Sequence, residues 1–153
     1  MKRILLVTTI GLVCFFRVQK VSSSAEPNHS SDLFAKFSES MKGVRFSGYF
    51  TVDDSNRPPS KEVYEIQSVQ KFGNEDLWIF TARVKYGGKD ITLPMLLPVK
   101  WIGTTPVIAM NELDIPGLGV FSAHVIIDND KYAGTWSHKS SGGHLFGKIE
   151  KIP

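Results

Sequence analysis

The chain contains a single cysteine, Cys14. It lies in an N-terminal stretch that reads as a removable address, so the body of the chain has no disulfide, thiolate metal ligand or cysteine nucleophile. About 128 residues follow that stretch, enough to bury a core without covalent staples. Catalytic signatures are missing too. There is no G-x-S-x-G, H-E-x-x-H, P-loop or C-x-x-C. Gly117-Leu118-Gly119 lacks the third glycine and the helix of a dinucleotide-binding loop. The acidic loop from Asp53 invites a calcium reading, but its twelfth position is Tyr64 where an EF-type loop needs glutamate. The remaining paired acids, Glu75-Asp76 and Asp128/Asp130, fall in turn-like segments where acids are common anyway. These absences argue against an enzyme and imply no cofactor. No apolar run approaches the roughly 20 residues of a membrane-spanning helix.

What is present begins with the address. Lys2 and Arg3 precede an uncharged run, Ile4 to Phe16, and Ser23-Ser24-Ala25 offers small residues for cleavage. This is the pattern of a secretory signal peptide over residues 1–25, cut near Ala25, and it predicts a periplasmic or secreted protein. Arg17 and Lys20 are atypical between the apolar run and the cut. Gly11-Leu12-Val13 lacks the small residue expected next to a lipidated cysteine, which argues against a lipid anchor on Cys14. The full chain has 18 basic and 15 acidic residues. Four of the basic residues and none of the acids lie in the signal, leaving 14 basic residues, 15 acids and a net charge of −1. No basic field remains to attract nucleic acid.

The body opens with a flexible leader and a short helix over residues 26–43. Leu33, Phe34, Phe37 and Met41 share one face at three- and four-residue spacings, with Gly43 as the stop. A helix this short needs packing to be stable, so it is expected to lie as a lid on the remaining domain, residues 44–153. That domain reads as about eight short strands with hairpin-length links. The fold class is all-β: an antiparallel meander closing into a small barrel, with a flattened sandwich as the alternative. Gly87-Gly88 fixes one hairpin, pairing Lys85 with Asp90, Val84 with Ile91 and Phe80 with Met95. Pro94 and Pro98 are expected to break or bend the next strand. A five-residue turn at Gly73 to Leu77 would set Gln70 opposite Phe80 on the inner face, lining a small pocket together with Ser68.

Residues 131–151 are the most distinctive text, dense in aromatic, histidine and glycine residues. Tyr132, Gly134, Trp136 and His138 alternate onto one strand face. A five-residue loop, Lys139 to Gly143, would place His138 opposite His144 and Trp136 opposite Phe146. Gly134 and Gly147 are expected at bends, or where a backbone or a large ring comes close. A three-residue turn before Tyr132 would add His124 to the same face. Three imidazoles could then hold zinc, which makes His124, His138 and His144 the candidate metal ligands and a metal-dependent hydrolase the third functional reading.

The runs Y-A-G-T-W-S-H and G-G-H-L-F-G-K-I, with P-V-K-W-I-G-T-T-P-V-I before them, resemble a family of small exported bacterial proteins, over about residues 41–151. The resemblance brings no activity with it and so implies no site residues. Gly134-x-Trp136 is also similar to the Gly-x-Trp of lipocalin and avidin barrels. There it lies in the first strand, whereas here it lies near the end, so this likeness implies architecture only. Two main readings follow. One is a barrel that binds a small apolar or aromatic ligand, with Tyr64, Gln70, Trp78 and Trp136 as candidate contacts. The other is an envelope-associated interaction protein with a filled core and an exposed aromatic face. Whether Trp136 and Phe146 point inward or outward separates them.

Overall fold

The computed structural model describes residues 26–86 and 88–153. The expected signal segment, 1–25, lies outside the described residues. Helix α1 (Glu26–Ser40) is followed by β1 (Val44–Phe50), β2 (Ser60–Lys71), β3 (Leu77–Tyr86), β4 (Lys89–Ile102), β5 (Thr105–Ile115), β6 (Gly119–Asp128), β7 (Lys131–His138) and β8 (Ser141–Lys151). Each strand pairs antiparallel with the next, and β8 closes on β1 as an eight-stranded barrel. Closure leaves no free outermost strand, which is how a meander of this length avoids an exposed sheet edge.

The helix begins at Glu26, so the residues expected as a flexible leader belong to it. Its apolar face plugs one end of the barrel. Phe34 and Phe37 meet Trp78 edge-on, with ring centroids 5.3 and 5.0 Å apart, and both also contact Trp101. Lys151, at the end of β8, donates to the carbonyls of Glu39, Ser40 and Lys42 at 2.9–3.3 Å. A cation there satisfies the orphan carbonyls of the helix C-terminus and opposes the negative end of its dipole. Gly43, at a φ of 61°, then turns the chain into β1.

The β3–β4 register is the expected one, with Val84 opposite Ile91 and Phe80 opposite Met95. Lys85 and Asp90 do pair, at 3.8 Å, but Arg83 holds Asp90 more closely, with its Nε 2.7 Å away. The prolines do not break β4, which runs unbroken from Lys89 to Ile102. Val99 N donates to Asp76 O on the β3 side. One residue earlier, Pro98 therefore turns its nitrogen the other way, and Pro94 shares that phase. On that side the ladder to β5 runs only from Val99 to Ile102. The missing N–H groups thus fall along a seam where no ladder partner is needed.

The β2–β3 register also differs from expectation. The last β2–β3 pair is Lys71 with Trp78, one residue short of the Phe72–Trp78 pair a five-residue turn implies, so Val69, not Gln70, pairs with Phe80. A bulge between Ile66 and Ser68 then shifts the register once more. A single-residue slip moves a strand's side chains to the opposite face. Val69 is buried and Gln70 is exposed on the outside.

The helix plug should be a major stabilising contact. Phe37→Ala should lower the unfolding free energy by about 3–5 kcal/mol, the usual cost of deleting a buried aromatic ring. Denaturant unfolding checks this, and a cost below about 1 kcal/mol would mean that the plug is dispensable.

Candidate functional site

The plugged end is filled; the rest of the barrel is not. An apolar cavity of about 190 Å³ lies inside it, lined by Phe46, Ile66, Phe80, Met95, Val125 and Leu145 among others. Phe50, Trp136, Phe121 and Leu118 border it toward the opposite end. Met95 on β4 and Met110 on β5 both line it, and they belong to the two strands whose ladder is shortened at the seam.

The wall on the β7–β8 side owes its shape to glycine. Glu62, Gly48, Gly147 and Tyr132 form one row across β2, β1, β8 and β7. The Tyr132 side chain lies along this row, over both glycines, and its hydroxyl donates to Glu62 Oε1 at 2.8 Å. A Cβ on Gly48 would sit 2.5 Å from the Tyr132 hydroxyl oxygen, and one on Gly147 would sit 2.8 Å from Tyr132 Cε1. Trp136 repeats the arrangement one step along. It pairs with Gly143, and its Nε1 reaches past that glycine to donate to Thr51 O at 3.0 Å. Gly134, between the two rings, packs against the backbone of His124. The glycines flagged in the sequence therefore mark close approaches, of a ring at Gly147 and of a backbone at Gly134. Lying on bare backbone, the rings form wall rather than filling the centre.

Among the described residues Glu62 is the one charged side chain lining this cavity, and it is only 8% exposed. Its second oxygen, Oε2, accepts a hydrogen bond from the Tyr64 hydroxyl at 2.9 Å. Burial holds the Glu62 carboxyl above its ordinary value, and the two phenol hydrogen bonds only partly oppose that. Burial, then the Glu62 hydrogen bond, push the Tyr132 hydroxyl well above its ordinary range. Sequence reasoning missed Glu62, because Lys61-Glu62 at the start of a strand looks solvated. The available signal was phase: Glu62, Tyr64 and Ile66 alternate onto one face.

The candidate contacts separate. Tyr64 and Trp136 line the cavity. Trp78 is fully buried but belongs to the helix plug, and its indole N–H has no partner among the described residues. Gln70 faces outward. Phe146 also faces outward, 44% exposed, with Tyr49 beside it at 6.3 Å.

The three histidines do not converge. Both turns are shorter than expected: Asp128 pairs with Lys131 and His138 with Ser141, through two-residue links containing the left-handed residues Asn129 and Lys139. His144 therefore pairs with Thr135, as does His124, so both face outward. His138 stays on the inner phase at the rim, stacked on Phe121 at 4.2 Å and hydrogen-bonded through Nδ1 to Val120 O at 2.8 Å. Among the described residues no group of three His, Cys, Asp or Glu side chains could hold a metal ion.

Two outcomes follow from the Glu62 row. Gly147→Ala should cost about 3 kcal/mol or more, since neither the ring nor the facing backbone at Ser47 can move freely; thermal and denaturant unfolding would measure it. The second concerns pH. A raised folded pKa means that the native state holds the proton more tightly than the unfolded chain does. The stability it confers is full below about 4.5 and is lost as pH rises through the folded value. The titratable groups hydrogen-bonded to Glu62 are Tyr64 and Tyr132, which stay protonated through this range, so the response belongs to Glu62. Glu62→Gln should gain stability relative to the parent as pH rises above about 4.5. A difference that stays constant with pH would contradict the assignment.

Comparison of the chain with protein-family models, with curated proteins and with solved structures gives no match, so the functional reading rests on the cavity's own chemistry.

Proposed function

We propose that this chain is an exported, non-enzymatic carrier that holds a small apolar or aromatic ligand inside its barrel. The observation that carries the reading is the cavity of about 190 Å³, apolar except for Glu62 and a few hydrogen-bonding groups. Small eight-stranded barrels either fill their interior with side chains or leave room for one ligand. An apolar cavity of about 150 Å³ is already enough to bind benzene. The volume therefore suits a single ring with a short substituent, or a short alkyl chain. The signal-like residues 1–25 support export. Inward-facing Trp136 favours the carrier. The exposed Tyr49–Phe146 pair is the feature that favours the alternative, an envelope-associated interaction protein, but that reading requires a filled core.

Calorimetric titration with n-propylbenzene tests the proposal, with Ala123→Phe as the blocked control. Ala123 is buried and lines the cavity. A phenyl group added there occupies the space a ligand would take. The parent should bind with a dissociation constant in the micromolar to millimolar range, about −4 to −8 kcal/mol, and a folded Ala123→Phe should not bind. Equal binding by both proteins, or by neither, would contradict the reading.

A further inference from the structure

Glu62 is a costly residue to place in this wall. An isolated carboxylate facing an apolar cavity loses its hydration and needs a compensating charge. The ion pairs among the described residues, Arg45–Glu65, Arg83–Glu65, Arg83–Asp90, Lys85–Asp90 and Lys100–Asp76, do not include it. Its partners are two neutral phenols. Tyr132 donates to one oxygen and Tyr64 to the other. A carboxylate oxygen accepts two hydrogen bonds, so each oxygen keeps acceptor capacity after the phenols are counted. The glycine row fixes the geometry: Tyr132 reaches Glu62 only because Gly48 and Gly147 leave its path bare. The carboxylate is thus held in place by two neutral donors, lines the cavity and has no cationic partner among the described residues.

We infer that the cavity takes a small aromatic or alkyl amine, whose ammonium group pairs with Glu62 while its apolar body fills the remaining space. This inference rests on the carrier reading above and names the ligand class for the same cavity. An ammonium group supplies both the missing counter-charge and up to three N–H donors for the spare acceptor sites. The rings nearby, Phe46 tilted against Tyr132 with centroids 5.0 Å apart among them, add favourable cation–π surroundings. A neutral hydrocarbon of the same shape fills the cavity but leaves the carboxylate uncompensated. An anionic ligand is repelled.

The test compares 2-phenylethylamine with n-propylbenzene, its neutral isostere, by calorimetry on the full domain and on Glu62→Gln. Glutamine preserves partners for both phenols, and circular dichroism checks its fold. The parent should prefer the amine by about 10- to 100-fold, the range for a hydrogen bond to a charged group. Glu62→Gln should lose that preference while its affinity for n-propylbenzene stays within about threefold. A second readout needs no variant: the parent's amine affinity should fall as pH drops and Glu62 takes up a proton, and its hydrocarbon affinity should not. If both probes bind the parent equally, or if Glu62→Gln keeps the preference, the amine inference is overturned and the carrier reading stands. If neither probe binds, both fall.

Discussion

The hydrogen bond from Tyr132 to Glu62 is the contact on which the rest of the site depends. It joins β7 to β2 inside a barrel where β1 and β8 lie between them. A phenol can span that distance only by lying flat on the wall, and it can lie flat only where both intervening positions lack a Cβ. The bond therefore dictates Gly48 and Gly147. It fixes the ring that Phe46 packs against, and it holds a carboxylate where water is largely excluded. Trp136 over Gly143 obeys the same constraint. Recessing two large rings into the wall leaves a cavity in a barrel that otherwise has ample aromatic volume to fill itself. The cost is a buried acid and a backbone with several glycines, both of which lower stability.

The barrel divides the work between its ends. The α1 plug puts Phe34, Phe37, Trp78 and Trp101 into one dense aromatic cluster, and Lys151 ties the helix terminus to the last strand. That end supplies packing energy. The opposite half carries the cavity, and its wall includes the β4–β5 seam, where Pro94 and Pro98 leave the ladder short. That seam combines few ladder pairs with two adaptable methionines, Met95 and Met110.

Much of this architecture was legible in the sequence, and the parts that were not have common physical causes. The eight strands, the antiparallel meander and the lid helix follow from alternation, turn chemistry and one apolar helical face. The β3–β4 register was readable because glycine declares a tight turn. The turns at Asn129-Asp130 and Lys139-Ser140 are equally tight but use non-glycine residues in left-handed conformations, so their lengths were overestimated. Those extra residues brought the three histidines together on paper, whereas the true registers send His124 and His144 outward. The β2–β3 link is one residue longer than its glycine suggests, and the bulge at Ile66/Ser68 has no glycine or proline to announce it, so the face of Gln70 was misjudged. Trp78 was rightly expected to be buried, but no local pattern says which end of a barrel a buried ring serves. Glu62 was hidden by its type: acids near strand ends are usually solvated, and only its phase with Tyr64 and Ile66 points inward.

The central claim is that the interior is a binding space and not a packing defect. Native mass spectrometry of the chain purified from its own host, beside the Ala123→Phe variant, addresses it most directly. The account predicts a reproducible mass excess on the parent, of one small molecule, that is released on unfolding and absent from the variant. A bare mass for both proteins under gentle conditions, or the same excess on both, would contradict it.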